Sequence, residues 1–203
     1  MKHESLWVTA IIPAKTDSTR LTKKNLKVIN GKTLLEHTLD YAKKSKYIKD
    51  IIVSTESKEV EKICENYEGV RVYGRAEYLL KDAEVADVYV DVFQNQFHKH
   101  GHNFIKDRST HMVALQPDHP DRTNNIDDML DYFVDNTYDD LFTVDSKGTR
   151  NGSIRITKSQ YVKDGTMSRR VGSMLDDCTN IHSEEDLKQA ERNIQNYEWL
   201  WKI

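Results

Sequence analysis

The stretch Leu6-Trp-Val-Thr-Ala-Ile-Ile-Pro13-Ala-Lys-Thr-Asp-Ser-Thr-Arg20-Leu-Thr-Lys-Lys-Asn25 joins an apolar run to a polar, cationic loop, with a proline at the seam. Aliphatic and β-branched residues closed by a residue that cannot donate to a ladder predict a buried strand over Leu6–Ile12 that stops abruptly. The pattern recurs in Met112-Val-Ala-Leu115, followed by Gln116-Pro-Asp-His-Pro-Asp-Arg-Thr123, which holds the other two of the chain's three prolines. In α/β sheets, ligands bind outside the carboxyl ends of the strands. The loops carrying Lys15, Arg20, Lys24 and Asn25, and Gln116, Asp118 and Arg122, are therefore expected to form two edges of one pocket, the first edge cationic.

Outward from these two strands, helix and strand patterns alternate. Helices are predicted over Thr33–Ser45, with Leu34, Leu35, Thr38, Leu39 and Ala42 on one face, and over Lys58–Asn66, Ala83–Phe97 and Ile126–Asp135. In the third of these, Val85, Val88, Tyr89, Val92 and Phe93 follow i, i+3, i+4, i+7, i+8 spacing. Strands are predicted over Asp50–Ser54, Val70–Tyr73, His111–Leu115, Asp140–Val144 and Gly152–Ile156. A capping box, Ser183-Glu-Glu-Asp186, opens a last long helix. Alternating β and α predicts an α/β fold: a mostly parallel sheet covered on both faces.

Length and charge narrow the function classes. The 203 residues suit one domain, 1–203, and carry a net charge of −3, so no nucleic acid and no membrane partner is indicated. The cationic first loop is local and suits a small anion. Cys64 and Cys178 form no C-x-x-C pair and read as reduced thiols. No stretch approaches the ~20 apolar residues of a membrane span, and Met-Lys-His-Glu-Ser leads into no cleavage pattern, so the expected location is cytoplasmic.

Several stretches together resemble the acylneuraminate and Kdo cytidylyltransferases, the CMP-sugar synthetases. Ala10–Leu26 is similar to that family's opening signature, roughly Ile-Ile-Pro-Ala-Arg-Gly-Gly-Ser-Lys-Arg-Leu-Pro-x-Lys-Asn-Leu. Asn30-Gly-Lys-Thr-Leu-Leu, Ile51-Ile-Val-Ser-Thr-Glu56, Arg75-Ala-Glu-Tyr-Leu-Leu-Lys-Asp82 and Leu115-Gln-Pro-Asp-His-Pro-Asp-Arg122 resemble further family stretches in order. So do Asn151-Gly-Ser-Ile and Asn180-Ile-His-Ser-Glu-Glu-Asp-Leu187 near the end.

The resemblance implies a Rossmann-like three-layer sandwich of the nucleotide-diphospho-sugar transferase type. It implies a reaction of CTP with a sugar acid to give a CMP-sugar and pyrophosphate with Mg²⁺. By the same resemblance Lys15, Arg20 and Lys24 act on the triphosphate, and Ala14, Lys15, Ser18, Asn25, Arg75 and Ala86 bind the nucleotide. Gln116 and Asn151 fall on the sugar side, and Asn180, His182 and Asp118 at the metal. Cations and loop N–H groups would offset charge building on the pyrophosphate.

This chain also departs from the pattern. Lys15 replaces an arginine, Thr16-Asp17 a glycine pair and Thr19 a lysine, while Asn180-x-His182 replaces the metal-holding Asp-x-Asp. Asp118 or Asp177 offers a replacement carboxylate. The family's long excursion, which builds its dimer interface, is reduced to Asp145-Ser-Lys-Gly-Thr-Arg150, so the family-type dimer is not carried over. Two readings follow: an active nucleotidyltransferase with a rearranged metal site, or a catalytically inactive nucleotide-binding or scaffold homologue.

Plainer readings stand beside these. Lys23, Lys24 and Lys27 also suit a solvated basic stretch, and Asp118 to Arg122 a turn with an Asx cap for the next helix. Asp127, Asp128 and Asp131 read as the wet side of a helix, His98–His102 as an exposed connection, and Tyr197–Trp201 as helix packing.

Overall fold

The computed structural model of the protein describes residues 6–16, 21–80, 83–99, 109–166 and 169–200. Nine strands are found among them: β1 (Val8–Pro13), β2 (Val28–Ile29), β3 (Lys32–Thr33), β4 (Ile48–Thr55), β5 (Val70–Gly74), β6 (His111–Leu115), β7 (Asp140–Val144), β8 (Arg150–Lys158) and β9 (Val171–Leu175). The α-helices are α1 (Leu34–Lys43), α2 (Lys58–Cys64), α3 (Val85–Lys99), α4 (Ile126–Asp135), α5 (Ser159–Asp164) and α6 (Glu184–Leu200).

Seven strands form one sheet in the order β5-β4-β1-β6-β8-β7-β9, and β2 and β3 form a separate two-stranded hairpin. Within the large sheet β1 pairs in parallel with both β4 and β6, whereas β8 runs antiparallel to β6 and β7. The predicted parallel character therefore holds with a single reversal at β8. Its cause is the short link Asp145–Thr149. Asp145 Oδ1 accepts from Lys147 N and Thr149 N, Gly148 takes φ +78°, and the chain turns straight back as a hairpin.

Helices cover both faces. Leu35, Leu39 and Ala42 of α1, Val60 and Cys64 of α2, and Met129, Leu130 and Phe133 of α4 pack on Ala10, Ile12, Val53, Val113 and Ile154. On the other face, Val88, Tyr89, Val92 and Phe93 of α3 and Val162 of α5 meet Ile11, Ile52, Met112 and Ala114. The side chains of consecutive strand residues point to opposite faces, so a strand apolar at every position is one buried on both. Ser183 and Asp186 cap α6 reciprocally, as the sequence predicts, and Thr33 and Glu36 do the same for α1.

A third apolar cluster fixes the site. Leu187 and Ala190 of α6 pack on Leu21, Ile29, Leu34 and Ile181, drawing the last helix over the hairpin and the first loop. The predicted wet side of α4 is corrected at two positions. Asp127 accepts from Ser45 Oγ and Lys46 N, and Asp131 from Tyr47 Oη, so both tie α4 to the turn before β4. The cap of α4 is Asn125, which accepts from Asp127 N and Asp128 N, and not a residue of the Asp118–Arg122 turn.

Candidate functional site

Because β4, β1 and β6 are parallel neighbours, the loops after them emerge along one sheet edge. The first loop is fastened to the end of β4. Ala14 N donates to Ser54 O at 2.9 Å, and Thr55 Oγ1 donates to Ala14 O at 2.8 Å. Thr16 N and Oγ1 both donate to Glu56 Oε1, at 2.7 and 2.8 Å. Asn25 Nδ2 holds the Lys15 carbonyl at 2.8 Å. Burial alone would raise the Glu56 pKa, but the two Thr16 donors outweigh it and hold the carboxyl below its ordinary value. Its Oε2 is buried and has no partner.

Arg75, just past β5, is buried to 9% exposure and donates to the Ser54 carbonyl at 3.1 Å. Burial lowers its pKa, and the nearby Glu56 charge partly restores it.

The second loop meets the first through Lys24. Its ammonium lies 2.6 Å from Asp118 Oδ2 and 3.1 Å from the Ile181 carbonyl, while Ile181 N donates to Asp118 O at 2.9 Å. Lys24, Asp118 and the Asn180–Ile181 segment are thus one unit. Burial would raise the Asp118 pKa, but the adjacent His119 ring and the Lys24 charge outweigh it, holding the carboxyl well below the usual range. Four atoms of this unit are buried without a hydrogen bond: Asp118 Oδ1, Asn180 Oδ1 and both His119 ring nitrogens. His119 Nδ1 does lie 3.0 Å from Asp118 Oδ1, a close contact whose angles fall short of a hydrogen bond.

Buried carboxylates brace this unit from behind. Asp121 accepts from Thr179 N, Thr179 Oγ1 and Asn193 Nδ2, tying the second loop to α6. Arg122 is a strut: it donates to the Gln116 and Ser153 carbonyls and stacks 5.3 Å from the Tyr41 ring.

On the other side of Gln116 lies the Asn151-Gly152 pair. Gly152 takes φ +78°, and a Cβ there would stand 2.8 Å from Gln116 Nε2, so the glycine allows the amide to lie flat against the backbone. Asn151 is committed internally, donating to Asp176 O and accepting from Ser153 N and Thr143 Oγ1. Tyr89 lies near Gln116, and burial pushes its hydroxyl well above the ordinary tyrosine range.

The structure brings Ala14, Lys15, Lys24, Asn25, Arg75, Gln116, Asp118 and Asn180 to the carboxyl edge of the sheet. Ser18 and Arg20, with Asp17 and Thr19, lie outside the described residues, as do the side chains of the His98–His102 tract. Ala86 is exposed on α3 and lines a cavity of about 280 Å³ beside Tyr89 and Arg155. His182 is half-buried, and its backbone N–H caps onto Asp186. Asp177 is exposed and accepts from Ser146 N in the β7–β8 turn. The cysteines are free, and burial pushes Cys64 up to about 11 and Cys178 to about 12, which leaves both as unreactive thiols.

Sequence reasoning missed the Thr16–Glu56 clasp, although Glu56 sits at the end of the strand stretch it quoted. It also read Asp118 and Lys24 separately; nothing in their spacing announces that they touch.

This edge, where two loops meet at the ends of parallel strands, is the ligand-side edge of a Rossmann-like α/β sandwich. A family model described as cytidylyltransferase matches residues 9–197, and the chain belongs to that family. It is 34% identical over 86 residues to the CMP-N,N'-diacetyllegionaminic acid synthase of Legionella pneumophila, covering 42% of this chain and 37% of that one. The chain thus spans well under two thirds of that curated relative. Its fold is similar to a CMP:2-keto-3-deoxy-manno-octonic acid synthetase solved with CTP, with TM-score 0.71 and 14% identity over 94% of this chain and 99% of that one. A Mycobacterium tuberculosis protein solved as a manganese complex is similar too, with TM-score 0.60 and 14% identity over 92% of this chain and 98% of that one. Among the described residues, no helix is long and apolar enough to cross a membrane.

Proposed function

We propose that this chain transfers the cytidylyl group of CTP to a sugar acid, giving a CMP-sugar and pyrophosphate. The observation that carries the reading is the Lys24–Asp118–Asn180 unit, which presents an ammonium and two unpartnered oxygens at the carboxyl edge of the sheet. In the proposed reaction an acceptor oxygen attacks the α-phosphorus and the bond to the β-phosphate breaks. Lys15 and Lys24 stabilise the negative charge that gathers on the leaving group. Arg20 and Ser18 extend that binding along the first loop, and Ala14, Asn25, Arg75 and Ala86 complete the nucleotide side. Gln116 orients the acceptor beside Asn151-Gly152.

The donor set suits a divalent cation delivered with the nucleotide. Among the described residues no three His, Cys, Asp or Glu side chains gather as a metal site. Asp118 Oδ1 and Asn180 Oδ1 are hard oxygens that accept no hydrogen bond, and hard cations complete their shell with phosphate and water oxygens. These two residues would hold Mg²⁺ or Mn²⁺, with His182 adjacent. When bound, the cation withdraws charge from the phosphates. Asp118, kept ionised by its surroundings, contributes the negative charge, and Lys24 fixes its orientation.

The test is pyrophosphate release from each of the four nucleoside triphosphates, with Mg²⁺ or Mn²⁺ and a set of 2-keto sugar acids. Release with CTP and one acid is expected. Silence in every combination, with CTP still raising the thermal midpoint, would reassign the chain as a nucleotide-binding homologue without chemistry.

A further inference from the structure

We infer that the His119 imidazole is a direct ligand of the cation that Asp118 and Asn180 hold, and that its nitrogen makes the site select Mn²⁺ over Mg²⁺. The inference rests on the nucleotidyl-transfer reading for what brings the cation in, whereas the donor set stands on the geometry that follows.

The turn after β6 fixes two of the donors. His119 N donates to Gln116 O at 3.3 Å, closing a four-residue turn over Gln116-Pro-Asp-His119 with Pro117 in its favoured second place. Pro120 then disfavours helical backbone at His119. Asp118 and His119 therefore leave the turn with little backbone freedom. The bond from Ile181 N to Asp118 O, at 2.9 Å, holds the Asn180 segment against them.

His119 is 1% exposed, and among the described residues neither of its ring nitrogens makes a hydrogen bond. A buried imidazole with neither nitrogen satisfied is a costly arrangement in a core and calls for a ligand. Its Nδ1 stands 3.0 Å from Asp118 Oδ1, an oxygen that accepts no hydrogen bond either. Lys24 engages the other oxygen, Oδ2, at 2.6 Å, so the carboxylate is held with Oδ1 beside the ring. Two donors each about 2.1 Å from one octahedral cation, at right angles to each other, stand about 3.0 Å apart. The Asp118–His119 spacing is that of neighbouring ligands. One cation meets Asp118 Oδ1, His119 Nδ1 and Asn180 Oδ1, three of the four unsatisfied atoms. An ion pair between Asp118 and His119 would meet two and leave Asn180 Oδ1 as it is.

The donor types set the choice of metal. Carboxylate and amide oxygens suit Mg²⁺ and Mn²⁺ alike, whereas imidazole is a softer donor that Mn²⁺ accepts and Mg²⁺ takes poorly. Of the three donors only Asp118 brings a negative charge, so attraction between charges holds a hard cation less firmly than a pair of carboxylates would. The bond to nitrogen then decides between the two ions.

Wild type, His119→Asn and His182→Asn are each loaded with Mn²⁺, with and without α,β-methylene-CTP, and studied by pulsed electron paramagnetic resonance. Wild type should show coupling to a directly bound imidazole nitrogen, which changes to the ¹⁵N pattern when its histidines are ¹⁵N-labelled. That coupling should persist in His182→Asn and vanish in His119→Asn. In competition dialysis wild type should prefer Mn²⁺ over Mg²⁺ by tenfold or more, and His119→Asn should erase most of that preference while its circular dichroism stays that of wild type. No nitrogen coupling in wild type, coupling that survives in His119→Asn, equal affinity of wild type for the two ions, or no bound Mn²⁺ in any sample would overturn the proposal. The wild-type spectrum tests it even where His119→Asn fails to fold, and His119→Gln then makes the assignment. Phosphorus coupling from the CTP analogue separates the two readings. Nitrogen without phosphorus keeps the His119 ligand and removes nucleotidyl transfer; phosphorus without nitrogen does the reverse.

Discussion

Lys24 Nζ and Asp118 Oδ2, on residues 94 positions apart, lie 2.6 Å from each other with side-chain exposures of 16% and 14%. This contact closes the first loop onto the second.

Lys24→Met removes one partner and leaves a carboxylate with little solvent. Breaking a buried pair from one side typically costs about 3–5 kcal/mol, and the residual exposure places this case near the lower end, about 3 kcal/mol. Urea unfolding should show the midpoint falling with an unchanged slope, and CTP affinity should fall with it. An unaltered midpoint would mean that solvent screens the pair.

Two groups shape the acid limb of the stability curve in different windows. Burial pushes His111 down to about 4, helped by the Lys158 charge. The unfolded chain then takes up a proton near the ordinary histidine value while the folded chain does not. Stability from His111 is therefore complete above about pH 6.5 and is lost as pH falls toward 4, by about 2 kcal/mol after allowing for its partial exposure. Asp118, with a depressed pKa, contributes stability that is complete above about pH 4 and is lost only below it. His111→Gln should flatten the first window and Asp118→Asn the second, as read from denaturation midpoints across pH.

Gly152→Ala places a Cβ 2.8 Å from Gln116 Nε2 at a residue with φ +78°. The backbone strain is of order 1 kcal/mol, and the new Cβ must also push the Gln116 amide aside. A loss of about 2 kcal/mol in urea unfolding is expected. Acceptor affinity should fall more than CTP affinity, which separates this side of the cleft from the triphosphate side.

Asp176 is fully buried and accepts from Thr123 N, Thr123 Oγ1 and Ser153 Oγ. Asp176→Ala leaves the buried Ser153 hydroxyl without its acceptor, which costs about 1–3 kcal/mol, while the exposed Thr123 donors turn to water. A destabilisation of about 2 kcal/mol is expected in thermal and urea unfolding. A smaller loss would show that water reaches the gap.

The strands that end in proline were legible because a residue without an N–H leaves a sharp mark at the end of an apolar run, as at Pro13 and after Leu115. The buried face of α1 was legible for a similar reason: Leu34, Leu35, Thr38, Leu39 and Ala42 repeat at helical spacing, and those same residues are buried. Strand β9 was not legible. Val171 and Leu175 face solvent, and Gly172 is buried under the Tyr138 ring, where a Cβ would stand 2.7 Å from it. Such an edge strand has neither alternation nor an apolar run. Helix α5 has 6 residues, too few to show a period. At the site, the residue types near Lys24 and Gln116 were readable, whereas the Lys24–Asp118 contact and the placement of Arg155 depend on strand order and direction. Those are set by packing between elements, not by any local pattern.

The tight link between β7 and β8, held by Asp145 and Gly148, has an implication for redesign. Its ends are already adjacent and hydrogen-bonded, and it opens beside Arg150, so it is a natural splice point. The entropic cost of a longer loop rises only about 0.6 kcal/mol per doubling of length. Segments grafted there would hang beside Asn151-Gly152 without disturbing the sheet, which on the proposed reaction makes this turn a position at which to install acceptor selectivity in a library.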